Sequence, residues 1–279
     1  MLLQRAITAV VLLALLLPAL WVKSPWPFAL LTLLLIAAAA WEWARLNGVA
    51  SVAAVGPGLL LALAGLWAVY TGSIVKLPAG VWWAAALAWR LLGGVALRGG
   101  PSTWPRWPAV LRLGLGLIAL WVAWLAMAKA RAIGVNFLLS AFCLVWAADI
   151  GAYAAGRAFG KTKLAPTISP GKSWEGVVGG MASVLVLAAL WVLLIDRAWP
   201  VDSASLYTQF LERFGWAGLA GAVMLLAAFS VVGDLFESLV KRAAGAKDSS
   251  RLLPGHGGVL DRIDALLPVL PIAMALASL

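Results

Sequence analysis

Residues 1–22, MLLQRAITAVVLLALLLPALWV, carry one charged side chain in an apolar run long enough to cross a bilayer as a helix, which takes about 17–25 residues. Such a start also suits a secretory signal peptide. No small-residue cleavage pattern follows, however, and further apolar runs do, so the stretch reads as a first transmembrane helix. Working outward, eight more windows of this kind lie near 26–45, 50–71, 80–97, 110–128, 133–156, 175–195, 216–240 and 261–279. The fourth contains Arg90, the sixth Asp149 and the eighth Asp234 and Glu237; the ninth is short and opens on Asp261 to Asp264. The expected fold is all-α, a polytopic transmembrane helix bundle of about nine spans. A β-barrel is excluded because the apolar runs are continuous rather than alternating.

Composition agrees with that reading. The 279 residues are 64% hydrophobic and 11% charged, with a mean hydropathy of +0.99, where a soluble domain is about 25% charged. The net charge of +10 sits mostly in short connections, where basic residues set topology and attract anionic headgroups, so nucleic acid is not needed to explain it. With nine spans, the side holding the N-terminus carries fourteen basic residues, from Arg5 and Arg45 to Arg251 and Arg262, against six on the other side, Lys23, Lys76, Lys129, Arg131, Arg197 and Arg213. Basic loops stay inside, which places the N-terminus in the cytoplasm. A cysteine placed at position 249 is expected to react only from that side. Tryptophans near span ends, such as Trp21, Trp26, Trp82, Trp83, Trp104 and Trp107, read as interface anchors. The connection 196–215 is the longest on the outer side and looks unremarkable. The one cysteine, Cys143, lies in an apolar stretch and can form no disulfide within the chain.

Against this background residues 238–264, SLVKRAAGAKDSSRLLPGHGGVLDRID, form one dense polar run. Ionisable groups are costly in a membrane protein and mark function. Carboxylates suit a hard divalent cation, bases suit phosphate, and the Gly255-His256-Gly257-Gly258 turn lets backbone N–H groups approach an anion. Seven of the eleven acidic residues, Asp149, Glu175, Asp234, Glu237, Asp248, Asp261 and Asp264, adjoin the last two large cytoplasmic loops; only Glu42, Asp196, Asp202 and Glu212 lie elsewhere. Asp234, Glu237 and Lys241 share a helix face, and Glu237 with Lys241 reads equally as an ion pair closing a helix end or as catalytic machinery. Asp234 lies deeper and suits a metal ligand. Asp261 and Asp264 are three apart at the head of the ninth span, where a simple helix cap competes with metal binding. Asp248 would complete the metal shell or meet a substrate group. His256, the only histidine, is flanked by glycines and expected at the phosphates or the metal. No zinc-spaced Cys/His set and no Walker A sequence is present.

A second cluster spans Asp149 to Glu175, DIGAYAAGRAFGKTKLAPTISPGKSWEG. Arg157, Lys161, Lys163 and Lys172 give four positive charges in sixteen residues, and Ser169-Pro170-Gly171-Lys172-Ser173 reads as a turn opening the seventh helix with Ser173 as its N-cap and Glu175 in the first turn. A positive-inside loop accounts for the charge but not for the glycine, serine and acid placement, which favours anionic substrate.

The run from Ser238 through Lys241-Arg242, Lys247-Asp248 and Leu253-Pro254-Gly255-His256-Gly257-Gly258-Val259-Leu260-Asp261-Arg262-Ile263-Asp264 resembles the signature of phosphatidate cytidylyltransferases, and the Asp149–Glu175 stretch is similar to that family too. The resemblance covers 149–175 and 234–264, about a third of the chain. It implies Mg²⁺-dependent nucleotidyl transfer, in which phosphatidic acid attacks CTP to give CDP-diacylglycerol and pyrophosphate at the cell (inner) membrane. It further implies metal binding at Asp234, Asp261 and Asp264, with Asp248 and His256 supporting catalysis. Lys161, Ser169, Lys172, Lys241, Arg242, Lys247, Gly257, Gly258 and Arg262 would bind substrate. On this view 1–132 are N-terminal transmembrane helices and 133–279 a catalytic transmembrane region with cytoplasmic loops 157–174 and 241–260. A homodimer is implied by the family alone. A CTP-dependent lipid kinase needs similar groups and is the nearer alternative; an ion-coupled transporter is the distant one, since the acids crowd one face and no internal repeat stands out.

Overall fold

The computed structural model describes residues 2–279, with the side chains of residues 7, 8 and 10–279; that of Arg5, counted above among the basic residues, lies outside the described set. The chain runs α1 (Leu2–Trp21), α2 (Trp26–Leu46), α3 (Val55–Tyr70) and α4 (Ala79–Ala88), which passes through a π-turn at Trp89–Gly93 into α5 (Gly94–Gly99). Then come α6 (Ala109–Ile133), α7 (Val135–Phe159), the strands β1 (Lys163–Ala165) and β2 (Ser169–Ser173), and α8 (Trp174–Leu190), which a second π-turn extends over Trp191–Asp196. The chain closes with α9 (Leu206–Ala243), α10 (Leu260–Ile263) and α11 (Leu266–Ala277).

Every expected apolar window falls on a helix, and the fold is an all-α membrane helix bundle. Among the described residues, six helical segments are long and apolar enough to cross a membrane: Trp26–Leu46, Ala79–Gly99, Ala109–Ile133, Val135–Phe159, Trp174–Asp196 and Leu206–Ala243. The apolar parts Val10–Trp21 and Val55–Tyr70 are shorter. α11, at 12 residues, is shorter still. The tightest pair is α7 on α8, where Ala148, Ala152 and Ala155 meet Gly176, Gly179 and Gly180 so closely that backbone lies on backbone.

Three local readings change. The stretch 163–173 is a hairpin, with Lys163 opposite Ser173 and Ala165 opposite Ser169; loop amides and carbonyls need partners, and the antiparallel pairing supplies them. Ser173 still caps α8, its Oγ accepting from Gly176 N at 3.2 Å. The outer connection 196–215 is also ordered. Ser205 caps a helical piece that runs to Gly215, whose φ of +67° kinks α9. There Asp196 accepts from Asn136 Nδ2 (2.8 Å), Ser205 Oγ and Thr208 Oγ1 (both 2.5 Å), and Asp202 caps α7 through Val135 N and Asn136 N. Finally, Trp82 and Trp104 are core residues, each 1% exposed. Trp104 donates to Asn47 Oδ1 at 3.1 Å and packs edge-on to Phe236, while Trp82 lies under the Lys129 ammonium. A partner for the indole N–H lets the ring go inside instead of to the headgroups. Trp21 and Trp26 do remain exposed.

Candidate active site

Helix α9 is the spine of the site. Gly233 lets it press against the start of α11: a Cβ there would lie 2.4 Å from Asp264 O and 2.9 Å from Pro268 Cδ. The next residue, Asp234, pairs with Lys172 from β2 at 2.6 Å and accepts from Ser238 Oγ at 3.3 Å. One turn on, the Glu237 side chain is buried, and among the described residues neither carboxylate oxygen has a hydrogen-bond donor beyond its ion pair with Lys241. Lys241 also reaches Asp261 Oδ1 at 2.5 Å, so one ammonium joins α9 to the glycine turn. The helix spacing and the Glu237–Lys241 pair were legible in the sequence; the bridge to Asp261 depends on the fold.

Asp261 is held by more than Lys241. Its Oδ2 accepts from Ser249 N (2.9 Å), Ser249 Oγ (2.8 Å) and Gly258 N (2.8 Å). With Lys241 on Oδ1, both carboxylate oxygens are paired. Asp264 Oδ1 accepts from Ala265 N at 2.8 Å. The Gly258 amide, expected to face an anionic ligand, is thus spent on Asp261. His256 is half-buried; its carbonyl accepts from Arg262 Nε (3.0 Å) and Nη2 (2.6 Å), and among the described residues its Nδ1 has no hydrogen-bond partner. Thr8 of α1 donates to Pro254 O at 2.9 Å, fastening the turn from a third side.

The hairpin closes a cavity of about 470 Å³ between α7, α8 and α9. Asp149, Tyr153, Arg157, Ser169, Lys172 and Asp234 give it a polar rim, and Val177, Met181, Ala227 and Val231 an apolar wall. A charged rim over an apolar wall suits an amphiphile with a phosphate head. The expected site residues therefore form two groups. Ser169, Lys172 and Asp234 line the cavity; Lys241, Gly257, Gly258, Asp261 and Asp264 surround the glycine turn; α9 connects them. Arg242 binds the Ile168 and Ala246 carbonyls, tying the hairpin to the loop after α9. Lys161, Lys247, Asp248 and Arg262 are exposed at the edge. Among the described residues, no three His, Cys, Asp or Glu side chains stand together as a ready-made metal set; Lys172 and Lys241 lie against the carboxylates instead.

One acidic residue that sequence reasoning set aside belongs here. Glu42 of α2 is 0% exposed and hydrogen-bonds into the 249–260 segment. The available signal was a lone acid inside AAAAWEWARL, which is costly in a membrane helix unless it has partners. Nothing local says that those partners lie more than 200 positions away.

Comparison with known proteins agrees with this geometry. The model of the cytidylyltransferase family matches residues 3–279. A phosphatidate cytidylyltransferase from Pseudomonas aeruginosa is 41% identical over 281 residues, covering 99% of this chain and 97% of that protein. One from Haemophilus influenzae is 51% identical over 138 residues, 50% of this chain and 44% of that protein. A third, from Staphylococcus aureus, is 40% identical over 144 residues, 52% of this chain and 50% of its own length. A match running through both polar clusters and all the helices between them means that the chain belongs to the cytidylyltransferase family.

Proposed function

We infer that the chain is a membrane-bound phosphatidate cytidylyltransferase, making CDP-diacylglycerol and pyrophosphate from CTP and phosphatidic acid for phospholipid synthesis. The observation that carries this reading is the meeting of the 149–175 and 234–264 clusters on α9, through Lys172–Asp234 and Lys241–Asp261, in a chain alike over 99% of its length to a phosphatidate cytidylyltransferase. A phosphate oxygen of phosphatidic acid attacks the α-phosphorus of CTP; the bond to the bridging oxygen breaks and pyrophosphate leaves with its electron pair. Phosphate is already a competent nucleophile, so the protein mainly neutralises charge and aligns the two substrates. Lys172 and Ser169 stand where the cavity rim meets a phosphate head. Lys241, Arg242, Lys247, Arg262 and Lys161 supply positive charge toward the triphosphate, and His256, Asp248 and the Gly257–Gly258 backbone shape the turn beside it.

The assigned cofactor is Mg²⁺. Three carboxylates, Asp234, Glu237 and Asp261, share two ammonium groups, and among the described residues Glu237 has no donor besides Lys241. That excess of hard oxygen donors fits a divalent cation. Asp234, Asp261 and Asp264 would hold it, and when bound it would neutralise charge developing on the phosphates.

The nine-span topology with a cytoplasmic N-terminus is part of the proposal, as are residence in the cell inner membrane and the homodimer implied by the family. Contacts between connections support the alternation. On one side Arg112 and Trp104 reach Asn47, while Glu42 reaches the glycine-turn segment. On the other, Arg131 binds the Leu20 and Val22 carbonyls, Lys129 the Leu77 carbonyl and Asn136 the Asp196 carboxylate. Position 249 is a poor labelling site, because Ser249 is only 6% exposed, between Glu42 and Asp261. Leu252, 47% exposed, serves instead. Leu252→Cys is expected to react with impermeant maleimide only when the cytoplasmic face is open, and labelling of intact cells would overturn the topology.

The activity is tested by pyrophosphate release from purified protein in mixed micelles with CTP, Mg²⁺ and phosphatidic acid. Lipid-dependent pyrophosphate and a CDP-lipid are expected. CDP with a phosphorylated lipid would mean attack at the γ-phosphorus, hence a kinase.

A further inference from the structure

Glu42 stands apart from the other acids in the sequence, yet its carboxylate meets four hydrogen-bond donors, as many as Asp261 does. Oε1 accepts from Ser250 Oγ at 2.5 Å and Val259 N at 3.0 Å; Oε2 accepts from Leu260 N at 2.7 Å and lies 3.2 Å from Ser249 Oγ. These groups come from both ends of one loop. The serines precede the Pro254–Gly257 turn, and the two amides open the segment that presents Asp261. A carboxylate has about four lone-pair sites, and here protein donors face all of them. All four donors belong to the loop, so Glu42 holds the loop in place.

The fit is close on the loop side as well. A Cβ at residue 258 would lie 2.0 Å from Ser249 Oγ and 2.3 Å from Glu42 Oε1, so only glycine admits this approach. Ser249 is shared: its amide and hydroxyl reach Asp261 Oδ2 at 2.9 and 2.8 Å, while the same hydroxyl lies 3.2 Å from Glu42. One hydroxyl proton serves one acceptor at a time, which couples the placement of the two carboxylates.

We propose that Glu42 is a positioning residue for nucleotidyl transfer: from α2 it clamps both ends of the glycine turn and so sets where Asp261 stands beside Lys241. The inference rests on the reading of Asp261 as a metal-holding carboxylate. It makes an N-terminal helix part of the support of the site, since a carboxylate that orients the groups around a ligand controls affinity and turnover without touching either.

The experiment compares Glu42→Gln, Ser250→Ala and Asp261→Asn with the unmodified full chain in detergent. Glutamine keeps the size but turns an NH₂ group toward two of the four donors. In Glu42→Gln, amide hydrogen exchange of peptides covering 249–262 is expected to quicken at least ~10-fold, with α6 and α7 peptides unchanged. Turnover should fall about 10–100-fold and half-saturation by Mg²⁺ should rise by a similar factor, with KM for phosphatidic acid unaltered. Ser250→Ala keeps the carboxylate and should move exchange and Mg²⁺ dependence a few-fold the same way, which decides the matter if Glu42→Gln does not fold. Unchanged exchange and Mg²⁺ dependence in the folded variants overturns the proposal. So does uniform loss of protection across the helices with Mg²⁺ half-saturation unaltered, the mark of a merely structural residue. If Asp261→Asn retains turnover, the underlying metal reading fails; if it is inactive while Glu42→Gln behaves as unmodified protein, only the role of Glu42 fails.

Discussion

Asp261→Asn is expected to lower nucleotidyl transfer by roughly three orders of magnitude, about 4 kcal/mol of transition-state stabilisation, while the protein stays folded in detergent. The hydrogen-bonding pattern explains why fold and activity should separate. Ser249 N, Ser249 Oγ and Gly258 N all donate to Oδ2, and an asparagine can present its one carbonyl oxygen to them. Its NH₂ then faces Lys241, which keeps Glu237 as a partner. The turn is retained and the negative charge is lost. Melting temperature and lipid-dependent pyrophosphate release, measured on one preparation, check both halves. Substantial turnover in the variant would remove Asp261 from the metal-holding set.

Lys241→Met should destabilise the protein as well as inactivate it. The Lys241 side chain is 11% exposed and its ammonium lies between Glu237 and Asp261, whose side chains are 2% and 6% exposed. Removing the single cation leaves two buried carboxylates facing each other, a change that costs about 3–5 kcal/mol in comparable buried pairs. The expected drop in melting temperature is on the order of 10 °C. Asp261 retains its three other donors, whereas Glu237 has none, so Glu237 carries most of the penalty. The double variant Lys241→Met/Glu237→Gln should therefore recover most of the stability and none of the turnover, a non-additive result that isolates the pair. A single variant that melts with the unmodified protein would show that the bridge contributes little.

Much of this was legible in the sequence, for an identifiable reason. Helix formation in an apolar segment depends on local composition and length, because backbone groups in lipid must pair within the segment. Each apolar window therefore fell on a helix. The spacing of Asp234, Glu237 and Lys241 on one face, and the Ser173 cap, are likewise local. The dense run 238–264 disclosed the chemistry because charged residues are so scarce elsewhere.

What the sequence by itself determined is which segments are helical, which residues carry charge near them and which family they resemble. The tertiary structure alone decided the partners. Glu42 became the anchor of the glycine turn, Lys172 reached Asp234 across a hairpin, Trp104 went into the core beside Phe236, and Asp196 and Asp202 organised the outer end of α7. Each of these joins residues distant in the chain, and each satisfies a polar group or fills a space that exists only once the helices have packed. A buried carboxylate states in the sequence that it needs donors; only the packed bundle determines which donors it meets.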